Sequence, residues 1–185
     1  MADARLPHFT IGHSTLTVDE LAARLHAAGV TRLIDVRSIP RSRTNPQFNR
    51  DVLPAALAGR GIAYQAMADL GGRRGRQRAV APEVNGFWDN ASFHNYADWA
   101  LQPPFRAALQ TLRELGQRER CAVMCAESLW WRCHRRIIAD HLLAAGETVR
   151  HIMEGGIDDA HLTAGAQVHA DGTVSYPAAQ QALDL

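Results

Sequence analysis

The sequence predicts an α/β fold: a three-layer sandwich with a mainly parallel central sheet of about five strands and a small C-terminal hairpin. Short apolar runs alternate with helical segments along most of the 185 residues, which is typical of α/β proteins. Residues 121–126 are apolar throughout, as expected for a central parallel strand that is covered on both faces. The length and the 46% hydrophobic content suit one domain over residues 1–185.

The elements follow from local patterns. Thr17 and Glu20 have the spacing of a capping box, so a helix is expected to begin there and to end at Gly29. Turn signals around residues 170–172 indicate a hairpin within an appendage over about residues 154–185. Strands are predicted at residues 8–11, 32–37, 62–67, 121–126 and 149–153. Further helices are predicted at residues 51–58, from 93 to 113 with a break at Pro103 and Pro104, and from about Cys133 to Gly146.

Charge is unevenly distributed although the formal net charge is only +1. All 20 basic residues are Arg; nine of them lie in residues 37–78, which carry +7, whereas residues 139–185 carry −6. This excludes a protein that is basic throughout for binding long polyanions. A local positive rim instead predicts an anionic small molecule or a short nucleic acid as the partner.

Two observations bear on location. No apolar run approaches the roughly 20 residues that a bilayer requires, and the N-terminus has no apolar signal core. The three cysteines, Cys121, Cys125 and Cys133, are an odd and clustered set, which favours reduced thiols. We therefore expect a cytoplasmic protein that does not contact a membrane.

Polar or reactive groups follow four of the predicted strands. In an open α/β sheet, ligands bind outside the carboxyl ends of the strands. If the strands are parallel, these groups converge in one cleft. They are His13 with Ser14, Asp35 with Arg37, residues 69–72, and Cys125 with Glu127.

Glu127 is the predicted acid or base of this cleft. Beside an apolar strand end, desolvation would raise the pKa of its carboxyl group and suit proton transfer. His13 and Asp35 would polarise reacting groups. The alternatives are a structural salt bridge for Glu127 and a small buried apolar role for Cys125.

Cys133 and His134 lie where a helix is expected to begin. The helix dipole and the neighbouring Arg132, Arg135 and Arg136 favour a thiolate at Cys133, although the same features would also form an anion site or a solvated helix start. Zinc ligation by the thiols, Glu127 and His134 lacks the usual ligand spacing, so we predict no metal and no other cofactor.

Substrate binding is assigned to arginines, hydroxyls and aromatic rings. Arg forks bind phosphate oxygens, and tryptophan faces stack on bases. Aromatic residues at helical spacing, such as Phe93, Tyr96 and Trp99, more often belong to a core. The predicted binding residues are Ser14, Arg37, Arg41, Arg43, Arg73, Arg74, Trp88, Trp130, Arg132, His134 and Arg135.

Residues 33–37 resemble a strand of rhodanese-like sulfurtransferases. Those enzymes and related phosphatases bind an anion in a loop that carries a Cys and, six residues later, an Arg. The sixth residue after Cys125 is Trp131, so that active site is not matched.

Six motifs in order resemble the domain of unknown function 488 family over about residues 8–153. The resemblance implies an α/β fold and marks the same strand ends, and it assigns no reaction. The motifs are residues 10–15, 35–37 with 40–42, 45–49, 61–64, 70–72, and 124–127 with 133–135.

The sequence therefore predicts an enzyme acting on an anionic nucleotide-like or nucleic-acid substrate, with the choice between hydrolase and transferase open. One alternative is a binding module for nucleic acid or a modified nucleotide without catalysis. Another is a thiol enzyme that uses Cys125 or Cys133.

Overall fold

The computed structural model describes residues 5–179. Six strands form the central sheet: β1 (His8–Gly12), β2 (Arg32–Asp35), β3 (Ala63–Ala66), β4 (Cys121–Cys125), β5 (Val149–Met153) and β6 (Gly156–Asp159). Their order is β3-β2-β4-β1-β5-β6. All pairs are parallel except β5–β6. The predicted α/β class and mainly parallel sheet are confirmed, and β6 is a strand that the sequence analysis did not find.

Helices cover both faces of the sheet. They are α1 (Val18–Ala27), α2 (Leu53–Ala58), α3 (Ala91–Trp99), α4 (Pro103–Gly116) and α5 (Arg135–Ala144). One apolar cluster joins sheet residues such as Ile11 and Leu33 to α1 and α2. A second cluster joins Ile34 and Val123 to α3, α4 and α5. Alternate residues of β2 thus enter different clusters, as the two-residue period of a strand requires.

The first helix begins as its sequence predicts. The Glu20 N–H donates to Thr17 Oγ1 at 3.1 Å, and the Thr17 N–H donates to Glu20 Oε2 at 2.7 Å. Leu21 and Leu25 are fully buried against the sheet. Just after the helix, Gly29 has a φ of 69°, a conformation that glycine adopts without steric cost.

The segment predicted as an appendage contributes to the sheet and to the core. After β6, the short strands β7 (Gln167–Val168) and β8 (Val174–Ser175) pair as the predicted small hairpin. Tyr176 is fully buried, and its hydroxyl donates to Asp140 Oδ2 at 2.8 Å. Part of the described chain beyond β5 therefore packs on α5.

The topology brings three strand ends together. Gly12 pairs with Cys125, and Asp35 pairs with Met124, so β1, β2 and β4 finish at one edge of the sheet. Loops that leave these strands must turn over the same edge. Residues 5–179 include no helix with the length and apolar character needed to cross a membrane.

Candidate functional site

A cleft of about 830 Å³ opens at this edge of the sheet. The segments that follow β1, β2 and β4 form most of its walls, and Gly72 and the start of α3 complete it. Ten of the residues that the sequence analysis selected line the cleft: His13, Ser14, Arg37, Arg41, Arg73, Cys125, Glu127, Arg132, Cys133 and His134.

His13 follows β1 and is held as a neutral ring. Its Nδ1 lies 2.9 Å from the carbonyl oxygen of Ser14, and its Nε2 lies 3.4 Å from an Arg37 nitrogen. Nδ1 therefore carries the proton and Nε2 accepts from the guanidinium. Burial lowers the pKa of His13 to about 4, and the charge of Arg37 acts in the same direction. Ser14 has a φ of 44°, in the left-handed region, which turns its carbonyl group toward the ring.

Asp35 lies beneath the cleft and fixes Arg37. The Arg37 guanidinium donates to both carboxylate oxygens of Asp35, at 2.9 and 2.7 Å, and to the carbonyl of Phe48 at 2.7 Å. Tyr64 donates its hydroxyl proton to the same carboxylate at 2.5 Å. Asp35 is buried and is not among the lining residues. Its charge is compensated by Arg37, so the pair positions His13 and adds little net charge to the cleft.

Cys133 and His134 form a hydrogen-bonded pair at the base of the cleft. The His134 Nε2 lies 2.9 Å from the carbonyl oxygen of Val36 and must donate to it. Its Nδ1 therefore faces the Cys133 sulfur, 3.4 Å away, as a proton acceptor. When the proton moves from sulfur to Nδ1, both ring N–H groups still have acceptors. The pair is satisfied in both protonation states.

Arg135 is the first residue of α5 and has no exposed surface. Its side chain donates to Cys125 Sγ at 3.1 Å, to Thr10 Oγ1 at 3.3 Å and to the carbonyl oxygen of Glu127. Its backbone N–H points to Cys133 Sγ at 3.5 Å. Within residues 5–179, no carboxylate forms a salt bridge with Arg135. A buried, uncompensated cation is costly. A thiolate beside Arg135 would supply the missing negative charge.

The two thiols of the cleft differ in acidity. Burial raises the pKa of Cys125 well above its ordinary value, and the neighbouring Cys133 adds to this. Burial also opposes ionisation of Cys133, but the neighbouring Cys125 thiol and the charges of His134 and Arg135 outweigh this effect. The pKa of Cys133 therefore lies well below its ordinary value. Of the two thiols, Cys133 is therefore the one whose surroundings favour the thiolate.

The family model "Domain of unknown function DUF488" matches residues 17–142, well over half of the chain. The chain belongs to the DUF488 family. The resemblance found in the sequence is thus confirmed, and the matched range contains Arg37, Cys125 and the Cys133–His134 pair. Comparisons with curated proteins and with solved structures found no match.

Glu127 of this DUF488 protein does not have the environment on which its predicted role depended. The residue is exposed, and its carboxylate accepts hydrogen bonds from the Leu129 N–H at 3.0 Å and from the Ser128 hydroxyl at 3.3 Å. The expected desolvation at the strand end is absent because the chain turns outward after Cys125. Glu127 lines the cleft as a solvated carboxylate that organises its own loop.

The rim of the cleft carries three exposed arginines without a carboxylate partner in the described part of the chain: Arg41, Arg73 and Arg132. Arg73 is placed by a hydrogen bond from its backbone N–H to Ser38 Oγ at 2.7 Å. These three residues place positive charge at the rim of the cleft; Arg41 and Arg73 come from the arginine-rich stretch 37–78, and Arg132 comes from the segment after β4.

Five predicted binding residues lie elsewhere. Arg43 is exposed outside the cleft, and Arg74 covers the Trp99 ring at 4.1 Å. Trp88 is only 8% exposed and stacks on Phe93, so it belongs to the core. Trp130 stacks on the ring of His151 at 4.3 Å. Arg135 is buried and contacts Cys125 and Cys133 instead of a ligand that enters from solvent. Local sequence could not place these side chains because tertiary packing decides their direction.

Three residues of the site were given no individual role from the sequence, although residues 69–72 were expected at the cleft. Phe48 stacks on the His13 ring at 4.1 Å, and Tyr64 anchors Asp35. Gly72 lies so close to His134 that an added Cβ would be 2.4 Å from its Nδ1. All three belong to the motifs that carried the family resemblance, so membership of those motifs was the sequence signal that could have pointed to them. Within residues 5–179, no three His, Cys, Asp or Glu side chains are grouped as metal ligands would be.

Proposed function

We propose that this DUF488 protein is an enzyme that uses the Cys133 thiolate as a nucleophile on a small anionic substrate. The observation that carries the proposal is the pairing of Cys133 with a proton-accepting His134 nitrogen, next to the backbone N–H of Arg135, a buried cation with no carboxylate partner among the described residues. Activation of a thiol by an adjacent base and by fixed positive charge is how cysteine nucleophiles are generated. Among the readings from sequence, this supports the thiol enzyme over acid–base catalysis by Glu127.

The anionic class of the substrate follows from the rim. Arg41, Arg73 and Arg132 are exposed beside the cleft and are not neutralised by carboxylates in the described residues. Arg73 directly follows Gly72, which touches the His134 ring. An oxyanion bound by Arg73 and Arg132 would therefore lie next to the Cys–His pair. Guanidinium groups bind such oxyanions through paired N–H donors.

The chemical step is a group transfer. The Cys133 sulfur forms a bond to an electrophilic atom of the substrate, and the bond to the leaving group breaks with its electron pair on that group. The His134 imidazolium returns the thiol proton to the leaving group. Water or a second substrate then takes the transferred group from sulfur. The enzyme would thus be a hydrolase or a transferase with a covalent intermediate on Cys133.

The test compares two alkylating probes, anionic iodoacetate and neutral iodoacetamide, with the modified cysteine identified by mass spectrometry. At pH 6 an ordinary thiol, with a pKa of about 8.5, is almost wholly protonated. We expect both probes to modify Cys133 at this pH and to leave Cys121 and Cys125 intact. Substituting Arg41 and Arg73 by Ala should slow iodoacetate about 10-fold and leave iodoacetamide almost unchanged, because only the anion gains from the positive rim.

The matched control is Arg118→Ala, at an exposed arginine on the opposite edge of the sheet, and it should affect neither probe. Preferential modification of Cys125, or no alkylation of Cys133 at pH 6, would contradict the nucleophile. Equal loss of reactivity toward both probes in the double variant would contradict the anion subsite.

A further inference from the structure

Two thiols, not one, lie at the base of the cleft. Cys125 ends β4 and Cys133 precedes α5, and both line the cleft. The two cysteines are neighbours, and each changes the acidity of the other. Both sulfurs also contact Arg135, Cys125 through the guanidinium Nε and Cys133 through the backbone N–H. A nucleophile with His134 as its base has no need of a second thiol in this position.

We infer that Cys125 and Cys133 form a reversible disulfide when a hydroperoxide enters the cleft, so that the site is also a peroxide-reactive dithiol. The inference rests on the proposed nucleophilicity of Cys133. It adds a second substrate class and assigns Cys125 the role of the thiol that resolves the oxidised nucleophile.

The oxidation is balanced over two steps. The Cys133 thiolate attacks the terminal hydroperoxide oxygen, the O–O bond breaks, and the departing alkoxide takes a proton from His134 to leave as an alcohol. Cys133 is then a sulfenic acid. Cys125 attacks this sulfur, the S–S bond forms, and the hydroxide leaves with the Cys125 proton as water. The two thiols together supply two electrons, which reduce the hydroperoxide to an alcohol and water.

Arg135 makes the disulfide easy to reduce. In the dithiol form the charge of Arg135 lies near the Cys133 thiolate, which also contacts the Arg135 backbone N–H, and its guanidinium donates to the Cys125 sulfur. In the disulfide form no thiolate remains, and the other acceptors of the guanidinium are neutral oxygens: the Thr10 hydroxyl and the backbone carbonyls of Glu127 and Ser128. Since the reduced form is selectively stabilised, the disulfide is expected to be oxidising, as for other dithiols whose thiolate is stabilised. Two equivalents of a small thiol such as glutathione would restore the dithiol.

The sequence offers a direct readout. Trypsin cleaves after Arg120, Arg132 and Arg135, so it places Cys125 in the peptide 121–132 and Cys133 in the peptide 133–135. The disulfide would link these two peptides. Cys121 shares the first peptide but begins β4, and burial raises its pKa to about 11. The experiment is therefore done on the Cys121→Ser variant, in which only the pair in the cleft remains.

After one equivalent of hydrogen peroxide, we expect the linked peptides in a monomeric chain, and loss of the link after glutathione. In the additional Cys125→Ser variant the link should be lost, and dimedone should trap a sulfenic acid on Cys133. Stable sulfenic or sulfinic acid on Cys133 while Cys125 is present, or a link between two chains, would overturn the inference. Alkylation of Cys133 by iodoacetamide reports the nucleophile separately, so a missing disulfide with intact alkylation rejects this inference alone.

Discussion

His134 has a fixed orientation because three neighbours restrict its ring. The Val36 carbonyl accepts from Nε2 at 2.9 Å, the Tyr96 ring packs edge-on at 5.0 Å, and Gly72 lies against Nδ1. The loop after β3 approaches this ring so closely at position 72 that only glycine fits there. The direction of the proton acceptor toward Cys133 therefore depends on a glycine as much as on the histidine.

Gly72→Ala should slow the alkylation of Cys133 by iodoacetamide roughly 10-fold, equivalent to about 1.4 kcal/mol. The added Cβ would lie 2.4 Å from Nδ1 and 2.8 Å from the adjacent ring carbons, so the imidazole must move away from the sulfur. The rate is measured at pH 6 under pseudo-first-order conditions. Gly75→Ala, where an added Cβ meets nothing within 4 Å, is the control. Equal rates for the wild type and Gly72→Ala would mean that His134 does not activate the thiol.

Among the elements, β1 and the segment after β4 are in direct contact. The N–H groups of His13 and Ser14 donate to the carbonyls of Cys125 and Ala126 at 2.9 and 3.0 Å, which continues the pairing of the two strands beyond their ends. At Gly12 the chains approach so closely that an added Cβ would lie 1.9 Å from the carbonyl oxygen of Glu127. The same oxygen accepts from Arg135, so the contact positions the thiol site.

Gly12→Ala should lower the free energy of unfolding by about 1–3 kcal/mol, the usual cost of forcing extra volume into a packed region. The collision is with backbone atoms, which cannot rotate away as a side chain could. Urea unfolding followed by circular dichroism measures the change. Gly155→Ala, in open space between β5 and β6, should alter stability far less. A Gly12→Ala protein as stable as the wild type would show that the loop after β4 shifts without cost.

The elements that the sequence predicted are those with strong local signals. The apolar run of β4 and the capping box of α1 need no tertiary information, whereas β6, with the sequence Gly-Ile-Asp-Asp, has no strand preference and exists only because β5 offers an edge. The convergence of His13, Arg37 and His134 could be predicted because parallel strand ends meet. Burial of Arg135 could not, since its charge favours solvent until Cys125, Cys133 and Thr10 are packed around it.

Four buried histidines affect the stability of the whole molecule. Burial lowers the pKa of His8, and it lowers the pKa of His13 and His151 to about 4 and that of His141 to about 3. Unfolding restores a pKa near 6.5, so below that pH the unfolded state binds more protons than the folded state. The free energy of unfolding therefore keeps its full value, as far as these histidines are concerned, above about pH 6.5. It decreases as the pH falls toward 4. Asp140, whose pKa is raised by burial, acts in the opposite direction.

The free energy of unfolding in urea should therefore fall between pH 7.5 and pH 5, with a limiting slope of about 1.4 kcal/mol per pH unit for each histidine that stays neutral in the folded protein. His141→Leu should make this decline less steep, because it removes a ring that binds a proton only in the unfolded state. In the folded protein the ring is buried, and its Nε2 has no hydrogen-bond partner among the described residues. Stability that is constant or higher at pH 5 would contradict this account.

The separation of the Asp35–Arg37 pair from the exposed rim arginines has a consequence for redesign. Arg37 lines the cleft, but its guanidinium is engaged by Asp35 and the Phe48 carbonyl, so under the proposed function selection among anions falls to Arg41, Arg73 and Arg132. The segments that carry Arg41 and Arg73 do not contain the cysteines and can be varied, whereas Arg132 directly precedes Cys133 and is left unchanged. Under the proposed function, a library restricted to residues 39–45 and 73–78 would therefore change which ligands bind and leave the residues around Cys133 constant.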